Sequence, residues 1–301
     1  MYNVFGNSNV RLLLPSTNFF EVPPESVSKR RKIESQKIDA KERQLRGNLR
    51  CLQVLLFVVT VSGAHVETPD SRIVGGSETT IEEYPYQLSL QVQPSDEFIH
   101  HCGASIIGEK WAISAAHCVY RIPLEKMLLR AGSTYASKGG TLHNVKKIYT
   151  NYYNPRINDN DICLIEVEPP FEYSKSVQAI PMESSSVADG TIGVATGWGR
   201  VETYGRQSDV LLQVSLPVLN YDTCSDNYFD EGFEDVPHHD QMCTLDDGKG
   251  TCQGDSGGPF VVDGKLVGIH SWEPECGQRE YPSIFSNMSY FRGWVKDVTG
   301  I

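Results

Sequence analysis

The sequence predicts an all-β fold on three observations. Its 301 residues include 26 glycines and 16 prolines, with short β-branched runs between them, a composition typical of strands joined by turns. The run QLSLQV at 87–92 alternates apolar and polar side chains, as a half-buried strand does. The run PFVVDGKLVGIH at 259–270 predicts two strands joined around Asp263-Gly264, a dipeptide that favours tight hairpins.

A helix is predicted near the end of the chain. In YFRGWVKDV the large apolar residues recur at helical spacing and share one face: Phe291, Trp294, Val295 and Val298. No long linker or repeat interrupts the pattern from residue 73 onward. We therefore predict one β-rich body at 73–301 that is closed by this helix.

A secretory signal peptide is predicted at residues 47–64. A basic flank precedes a nearly uninterrupted apolar run, Leu52 to Val61, and small residues follow at 62–64, as in cleaved signals. The apolar run is too short to span a bilayer, for which a helix needs about 20 apolar residues.

Residues 1–46 precede this signal, although a signal peptide normally begins a chain. The segment is rich in Ser, Lys, Arg and Glu, which favours a disordered leader or a spurious one from a wrongly chosen start codon. A second interpretation is the cytoplasmic tail of a signal anchor, because positive charge precedes the apolar run. The run KRRK is weaker evidence for nuclear targeting, since an export signal follows it.

Charge is distributed unevenly along the chain. Residues 1–72 hold 11 of the 27 Lys and Arg and 7 of the 38 Asp and Glu, which leaves 16 basic and 31 acidic residues, a net charge of −15, in the remainder. A nucleic-acid-binding domain presents a basic surface. The composition therefore argues against nucleic acid as a partner and indicates a soluble acidic protein.

The stretch TCQGDSGGP at 251–259 surrounds one serine with glycines. It fits the pattern G-x-S-x-G, which also marks the nucleophile of α/β-hydrolases. In that fold the acid and the histidine follow the serine, but only 45 residues follow Ser256, and His270 is their one histidine. A base for Ser256 must therefore lie upstream.

Two upstream residues complete a catalytic set. His117 follows the strand-like run KWAISAA, and Asp161 precedes the strand-like run ICLIEV. A serine hydroxyl becomes a good nucleophile when an imidazole takes its proton, and a carboxylate fixes the tautomer of that imidazole. His117, Asp161 and Ser256 supply the three groups, whereas Asp159 is interpreted as a solvated neighbour.

Five motifs follow one another along the chain: IVGG at 73–76, AAHC at 115–118, DICL at 161–164, GWG at 197–199 and GDSGGP at 254–259. In this order they resemble the motifs of the chymotrypsin-like, or trypsin-family, serine proteases. The resemblance covers residues 73–301 and implies two packed six-stranded antiparallel β-barrels, with the active site between them and a C-terminal helix.

The resemblance implies a catalytic role for residues of these motifs. Ser256 would be the nucleophile, His117 the general acid and base, and Asp161 the orienting carboxylate. The backbone N–H groups of Gly254 and Ser256 would form the oxyanion hole, a path that glycine permits. The implied reaction is peptide-bond hydrolysis through an acyl-enzyme, with no metal or organic cofactor.

Activation by proteolysis is also implied by the resemblance. Residues 65–72 would be an activation peptide that a trypsin-like protease cleaves after Arg72. The freed α-amino group of Ile73 would then be buried against Asp255, the acid beside the nucleophile. A buried charge without its partner costs about 3 to 5 kcal/mol, so the uncleaved chain should form the oxyanion hole poorly.

Seven cysteines follow the signal segment, which is consistent with secretion and leaves one thiol unpaired. In the apolar run ICLIEV, Cys163 is predicted to be that thiol, buried and inert. The resemblance implies the bridges Cys102–Cys118, Cys224–Cys243 and Cys252–Cys276.

The predicted specificity pocket departs from the trypsin pattern at its base. Trypsin-like members have an aspartate six residues before the nucleophile, and Gly250 stands there in this chain. Trypsin specificity from the pocket base is therefore absent. The resemblance at this position is nearest to invertebrate chymotrypsin-like and elastase-like members.

The predicted pocket wall departs as well. Ser271 and Trp272 would pair with the substrate backbone, while Glu273 and Ser283 stand where open pockets have glycine. An inward Glu273 would narrow the pocket and favour a small, polar or basic side chain before the scissile bond. An outward Glu273 would meet solvent, as unpaired charges usually do.

No metal or calcium site is predicted. His100-His101 and His238-His239 lack an accompanying HExxH or paired CxxC motif, and we interpret them as surface loop residues. The stretch 129–149 contains no Asp or Glu to supply calcium ligands. Asn287-Met288-Ser289 matches the N-glycosylation acceptor pattern, a signal of low specificity.

The predicted protein is secreted to the extracellular space, without membrane attachment. Its expected partners are protein or peptide substrates, an activating trypsin-like protease and protease inhibitors. Two rival hypotheses stay open. One is a catalytically silent binding protein on the same fold, and the other is a membrane-anchored protease that keeps residues 1–64.

Overall fold

Two six-stranded antiparallel β-barrels form the described part of the protein. The computed structural model describes residues 74–233 and 236–301. The predicted leader, signal peptide and activation peptide, 1–72, lie outside the described residues. The predicted all-β architecture of two barrels with a C-terminal helix is confirmed.

The first barrel follows a short strand, β1 (Ser77–Glu78), and includes a 3-10 helix at Leu124–Lys126. Its strands are β2 (Gln87–Val92), β3 (Ile99–Gly108), β4 (Trp111–Ser114), β5 (Met127–Ala131), β6 (Thr141–Thr150) and β7 (Cys163–Glu168). They close in the order β2-β3-β4-β7-β6-β5, with every pairing antiparallel.

The second barrel is built from the remaining six strands and closes through the pairing of its first two. They are β8 (Ile192–Gly197), β9 (Leu212–Leu219), β10 (Gln241–Thr244), β11 (Pro259–Val262), β12 (Lys265–Trp272) and β13 (Ser283–Asn287). The order is β9-β10-β13-β12-β11-β8, and β1 pairs with the outer edge of β9. Helix α1 (Tyr221–Asp230) precedes β10, and helix α2 (Met288–Thr299) follows β13.

Strand β9 shows how the sequence fills a barrel interior. Leu212, Val214, Leu216 and Val218 alternate with less buried residues along the strand, because successive side chains of a strand point to opposite faces. The inward residues pack against Phe260 and Phe285, whose ring centroids lie 5.1 Å apart.

Strand β2 differs from the half-buried strand that its alternation predicted. Its polar residues Gln87, Ser89 and Gln91 are buried as completely as its leucines. The reason is that the polar face meets the second barrel and adjoining loops instead of water. Gln87 Oε1 accepts a hydrogen bond of 2.6 Å from Thr196 of β8.

The predicted hairpin and the predicted C-terminal helix are both present. Strands β11 and β12 pair across Asp263 and Gly264, which have φ values of 49° and 74°, as a two-residue hairpin requires. Helix α2 begins after Asn287, whose side chain accepts a hydrogen bond from the Ser289 N–H. Within the described ranges, no helix is long and apolar enough to cross a membrane.

A close backbone approach holds the loop of Ser256 against the first barrel. The N–H of Gly103 in β3 donates to the Ser256 carbonyl over 2.8 Å. A Cβ atom on Gly103 would lie 2.7 Å from the Cα of Gly258, so a side chain there would push the loop away. The two glycines thus allow the loop to reach β3.

The structure contains the three disulfides that the resemblance implied, Cys102–Cys118, Cys224–Cys243 and Cys252–Cys276. Cys163 is buried and unpaired, and its Sγ donates to the Ala115 carbonyl over 3.3 Å. Burial raises the pKa of the Cys163 thiol well above its usual value. The thiolate form, which carries cysteine reactivity, is therefore disfavoured.

We expect Phe291→Ala to lower the free energy of unfolding by about 3 to 5 kcal/mol, because it empties a fully buried site beneath α2. Lys296→Ala, on the exposed face of the same helix, is the matched control and should change it by less than about 0.5 kcal/mol. Chemical denaturation with the disulfides intact measures both. Equal effects of the two substitutions would contradict the packing of this helix.

Candidate active site

The three predicted catalytic side chains come from loops of both barrels. His117 follows β4 and Asp161 precedes β7 of the first barrel, while Ser256 lies on the loop before β11 of the second. The side chain of His117 is 30% exposed, whereas that of Asp161 is fully buried. The imidazole therefore faces solvent on one side and a buried carboxylate on the other.

The Asp161 carboxylate fixes the orientation of His117. His117 Nδ1 donates to Asp161 Oδ2 over 2.7 Å, and the His117 backbone N–H donates to Oδ1 over 2.8 Å. Burial alone would raise the pKa of Asp161, but the positive charge of His117 and the hydrogen bonds outweigh it and hold this pKa below its usual value. Because an ionised carboxylate only accepts, Nδ1 carries the proton and Nε2 stays available.

Ser271 of β12 joins the Asp161–His117 pair to Ser256. Its hydroxyl donates to Asp161 Oδ2 over 2.5 Å, and its carbonyl accepts from Ser256 Oγ over 3.5 Å. Among the described residues, no hydrogen bond connects His117 Nε2 with Ser256 Oγ. The Nε2 atom instead lies 3.6 Å from Cys118 Sγ. Hydrogen bonds of this kind often tighten only when a substrate is bound.

The backbone before Ser256 takes a path that glycine favours. Gly254 has a φ of 102°, a region that other residues rarely adopt. Its carbonyl accepts from His100 Nε2 over 2.9 Å. Within the described part of the chain, the N–H groups of Gly254 and Ser256 donate to no other residue. Both donors are therefore available to an external acceptor.

The surface-loop interpretation is wrong for His100 and His101, because both lie in β3. The His100 ring lies between Ser89 Oγ, 2.8 Å from Nδ1, and the Gly254 carbonyl, and the residue is partly buried. Burial lowers the pKa of His100 to about 4, so the ring is neutral and supports the Gly254 backbone. His238 and His239 do lie in the loop between α1 and β10.

Asp255 is a second buried carboxylate, with 1% of its surface exposed. Its oxygens accept from the N–H groups of Gly199 and Cys252, over 2.7 and 3.0 Å. Burial raises the pKa of Asp255 to about 6, although the positive charge of His270 and the two hydrogen bonds oppose the rise. No Lys, Arg or His side chain of the described residues lies within ion-pair distance of it.

The residues predicted to line the specificity pocket are neighbours in the structure. A Cβ atom on Gly250 would lie 3.1 Å from the Gly277 nitrogen and 3.5 Å from Ser283 Oγ. Thr251 Oγ1 and Ser283 Oγ lie 2.9 Å apart. The Trp272 ring packs against Tyr228, with ring centroids 5.4 Å apart.

The Glu273 side chain is buried and does not extend into solvent, as the outward alternative would require. It is only 3% exposed, and Oε2 lies 3.1 Å from Thr251 Oγ1. The same oxygen lies 2.5 Å from Nε2 of His270, whose side chain is 2% exposed. The Glu273 carboxylate therefore contacts both the residue after Gly250 and a buried histidine.

His117 also belongs to the one compact group of potential metal ligands among the described residues. The other members are the sulfur atoms of Cys102 and Cys118. These sulfurs form a disulfide, whereas metal binding requires thiolates. The group therefore does not offer a metal site.

Sequence reasoning missed two hydrogen-bond partners of Glu273 and one contact of Ser271. His270 and Thr251 are hydrogen-bonded to the Glu273 carboxylate. No sequence motif predicts either hydrogen bond. Ser271 was predicted to pair with substrate backbone, but its hydroxyl also anchors Asp161. The position of His270, three residues before Glu273, was the only available signal.

Comparison with known proteins agrees with this geometry. A sequence model of the Trypsin family matches residues 73–295. Trypsin eta of Drosophila erecta is 36% identical over 249 residues, which cover 80% of this chain and 95% of that protein. Trypsin of Phaedon cochleariae is 34% identical over 266 residues, covering 83% of this chain and 97% of that protein.

A solved structure shares the fold. The scabies mite inactivated protease paralogue S-D1 superposes with a TM-score of 0.71 at 27% sequence identity. The match covers 76% of this chain and 97% of that chain. Its coverage agrees with the two-barrel body described above.

We expect Asp161→Asn to disturb the His117 ring, because an amide NH2 would face one of the three donors that the carboxylate now accepts from. The free energy of unfolding should fall by about 1 to 3 kcal/mol, as it does when a buried donor loses its acceptor. The low-field proton signal of His117 Nδ1–H should disappear from the NMR spectrum. Asp159→Asn is the control and should leave this signal in place. A signal that is unchanged in Asp161→Asn would contradict the hydrogen bond from His117 Nδ1 to Asp161 Oδ2.

Proposed function

Because this chain belongs to the trypsin family and is a serine endopeptidase, we propose that it cleaves peptide bonds through an acyl-enzyme on Ser256. The observation that carries the proposal is the buried Asp161 carboxylate, bonded at once to His117 Nδ1 and to Ser271. Ser271 in turn accepts from Ser256 Oγ. Nucleophile, base and orienting carboxylate are thus connected through one residue.

In the first half-reaction, Ser256 Oγ attacks the substrate carbonyl while its proton passes to His117 Nε2. The imidazolium that forms is stabilised by the ionised Asp161, which lies 2.7 Å from Nδ1. When the tetrahedral intermediate collapses, the C–N bond breaks and His117 gives the proton to the leaving amine. Water then repeats the sequence on the acyl-enzyme and frees Ser256.

The proposed oxyanion hole consists of the N–H groups of Gly254 and Ser256. The tetrahedral intermediate carries a negative oxygen, and preorganised donors stabilise it most in a site that excludes water. The left-handed φ of Gly254 and the His100 hydrogen bond to its carbonyl support this assignment, because both hold the peptide that carries the first donor.

The zymogen proposal rests on the Asp255 carboxylate. Its raised pKa reflects a buried charge with backbone donors alone among the described residues. Cleavage after Arg72 would supply the α-amino group of Ile73 as a cation. Val74, the next residue, already accepts at its carbonyl from the Gly250 N–H over 3.1 Å. The new terminus would therefore start beside the pocket floor.

Secretion and partner choice belong to the same proposal. A signal peptide at 47–64 would direct the chain out of the cell, where its three disulfides persist. An activating protease that cleaves after basic residues would recognise Arg72. Protein substrates and protease inhibitors would bind at the same site, in contact with Ser256 and the pocket.

Specificity at the pocket base differs from that of trypsin in our proposal, although the relatives carry the name trypsin. Gly250 offers no carboxylate on the floor, and the pocket acid, Glu273, is held by His270. A long basic side chain would therefore find no free acceptor.

A catalytically silent binding protein is the second candidate, because the mite structure is named an inactivated paralogue. In this chain His117, Asp161 and Ser256 are all present, and the first two are hydrogen-bonded. Titration of the activated protein with a fluorophosphonate ester separates the candidates, since only an activated serine reacts stoichiometrically.

We expect Ser256→Ala to reduce peptide hydrolysis by several orders of magnitude, because no covalent intermediate can form. The unfolding free energy should change little, since the hydroxyl has one weak hydrogen bond of 3.5 Å. Ser95→Ala, at an exposed loop serine, is the matched control. Hydrolysis near the wild-type rate in Ser256→Ala would contradict the nucleophile assignment.

We expect Arg72→Gln to yield an inactive precursor that a trypsin-like protease fails to activate. Arg72→Lys should still be activated, because the activator cleaves after either basic residue. N-terminal sequencing for Ile73 and peptide hydrolysis are measured before and after the activator is added. Full activity of uncleaved Arg72→Gln would refute the zymogen proposal.

A further inference from the structure

Glu273 lies within a row of four hydrogen-bonded side chains, which runs from His270 through Glu273 and Thr251 to Ser283. Its Oε2 accepts from His270 Nε2 over 2.5 Å and from Thr251 Oγ1 over 3.1 Å. The direction of both bonds is fixed, because an ionised carboxylate cannot donate. Thr251 has one hydroxyl proton, so the Ser283 hydroxyl donates to Thr251 in turn, over 2.9 Å.

Two groups of opposite charge, the His270 ring and the Glu273 carboxylate, face each other among these hydrogen-bonded side chains. The side chains of His270 and Glu273 are 2% and 3% exposed, so water screens their attraction little. Burial alone would lower the pKa of His270, but the negative charges of Glu273, Asp255 and Asp161 outweigh it and raise this pKa. These negative charges therefore favour the protonated form of His270, whose Nε2 lies beside the Glu273 carboxylate.

We propose that His270 and Glu273 form an internal ion pair that fills the pocket and sets specificity by cancelling its charge. This inference rests on the proposed function, since it concerns the P1 residue, the one that precedes the scissile bond. The wild-type pocket accepts a small uncharged P1 side chain such as that of alanine. Acidic and basic P1 side chains are rejected, because the pocket holds no unpaired charge to receive them.

His270 and Glu273 each carry a charge that could bind a P1 side chain of opposite charge, but each charge is neutralised by the other residue. In Glu273→Gly the stem and carboxylate disappear, while His270 Nε2–H and the Thr251 hydroxyl stay directed at the vacated space. Those two donors already bind a carboxylate, so they can bind that of a P1 glutamate. The charges of Asp255 and Asp161 continue to favour the protonated His270.

Replacing His270 instead leaves the negative charge of Glu273 without its partner. In His270→Val, Glu273 keeps the Thr251 hydroxyl but loses its only cation among the described residues. A P1 lysine that enters from solvent can then supply the missing positive charge. The double variant Glu273→Gly with His270→Val carries neither charge and should prefer a large apolar P1 side chain.

The test uses the activated protein and peptides that differ only at P1, with Ala, Gln, Glu, Lys or Phe. Active sites are counted with a fluorophosphonate ester, so that kcat/KM refers to competent enzyme. Wild type should favour Ala over Glu, Lys and Phe by about tenfold or more. In Glu273→Gly the ratio of Glu to Gln should rise about tenfold or more, the usual worth of a charge-assisted hydrogen bond.

Further variants separate charge from volume. Glu273→Gln fills the pocket without the charge and should gain no activity on the P1 Glu peptide. Glu275→Gly removes an exposed glutamate two residues away and should leave every P1 ratio within about twofold of wild type. His270→Val should raise the ratio of Lys to Gln by about tenfold.

Two results would overturn the ion-pair proposal while leaving the protease assignment intact. One is a Glu273→Gly variant that the fluorophosphonate labels fully but whose ratio of Glu to Gln stays within about twofold of the wild-type ratio. The other is a wild type that cleaves after Lys as well as after Ala. If His270→Val does not fold, the wild-type and Glu273→Gly measurements still decide. An activated wild type that the fluorophosphonate does not label would instead refute the proposed function itself.

Discussion

The Asp161 carboxylate lies at the junction of the two barrels, and it is completely buried. It accepts from His117 of the first barrel and from Ser271 of β12 in the second. The Asp161 carbonyl also accepts from Ser286 of β13, over 2.7 Å. A buried charge is tolerated only with such partners, so the contacts that orient the imidazole also join the barrels.

Two further carboxylates, Asp255 and Glu273, lie in the same buried region, and each is stabilised differently. Asp255 has backbone donors, and Glu273 has the His270 ring and the Thr251 hydroxyl. The charge on His270 affects both, since it lowers the pKa of Asp255 while its own pKa is raised by both acids. The proposed activation acid and the proposed specificity determinant therefore share one electrostatic environment.

The sequence predicted the parts of the fold and site that depend on local pattern. The Asp263-Gly264 hairpin, helix α2 and the positions of His117, Asp161 and Ser256 on loops next to strands all follow from short motifs. The burial of the polar face of β2 could not be predicted, because the second barrel covers that face. The burial of the Glu273 side chain against His270 could not be predicted from the sequence either. In a regular strand, residues 270 and 273 point to opposite faces, but the register of β12 shifts between His270 and Trp272.

The most direct test of the catalytic assignment is the site of covalent labelling. The precursor and the protein cleaved after Arg72 would each be treated with a fluorophosphonate and digested, and the modified residue would be identified by tandem mass spectrometry. We expect one adduct per molecule, on Ser256, in the cleaved protein and almost none in the precursor. An adduct on another residue, or equal labelling of both forms, would contradict the account of Ser256 as a nucleophile that activation makes competent.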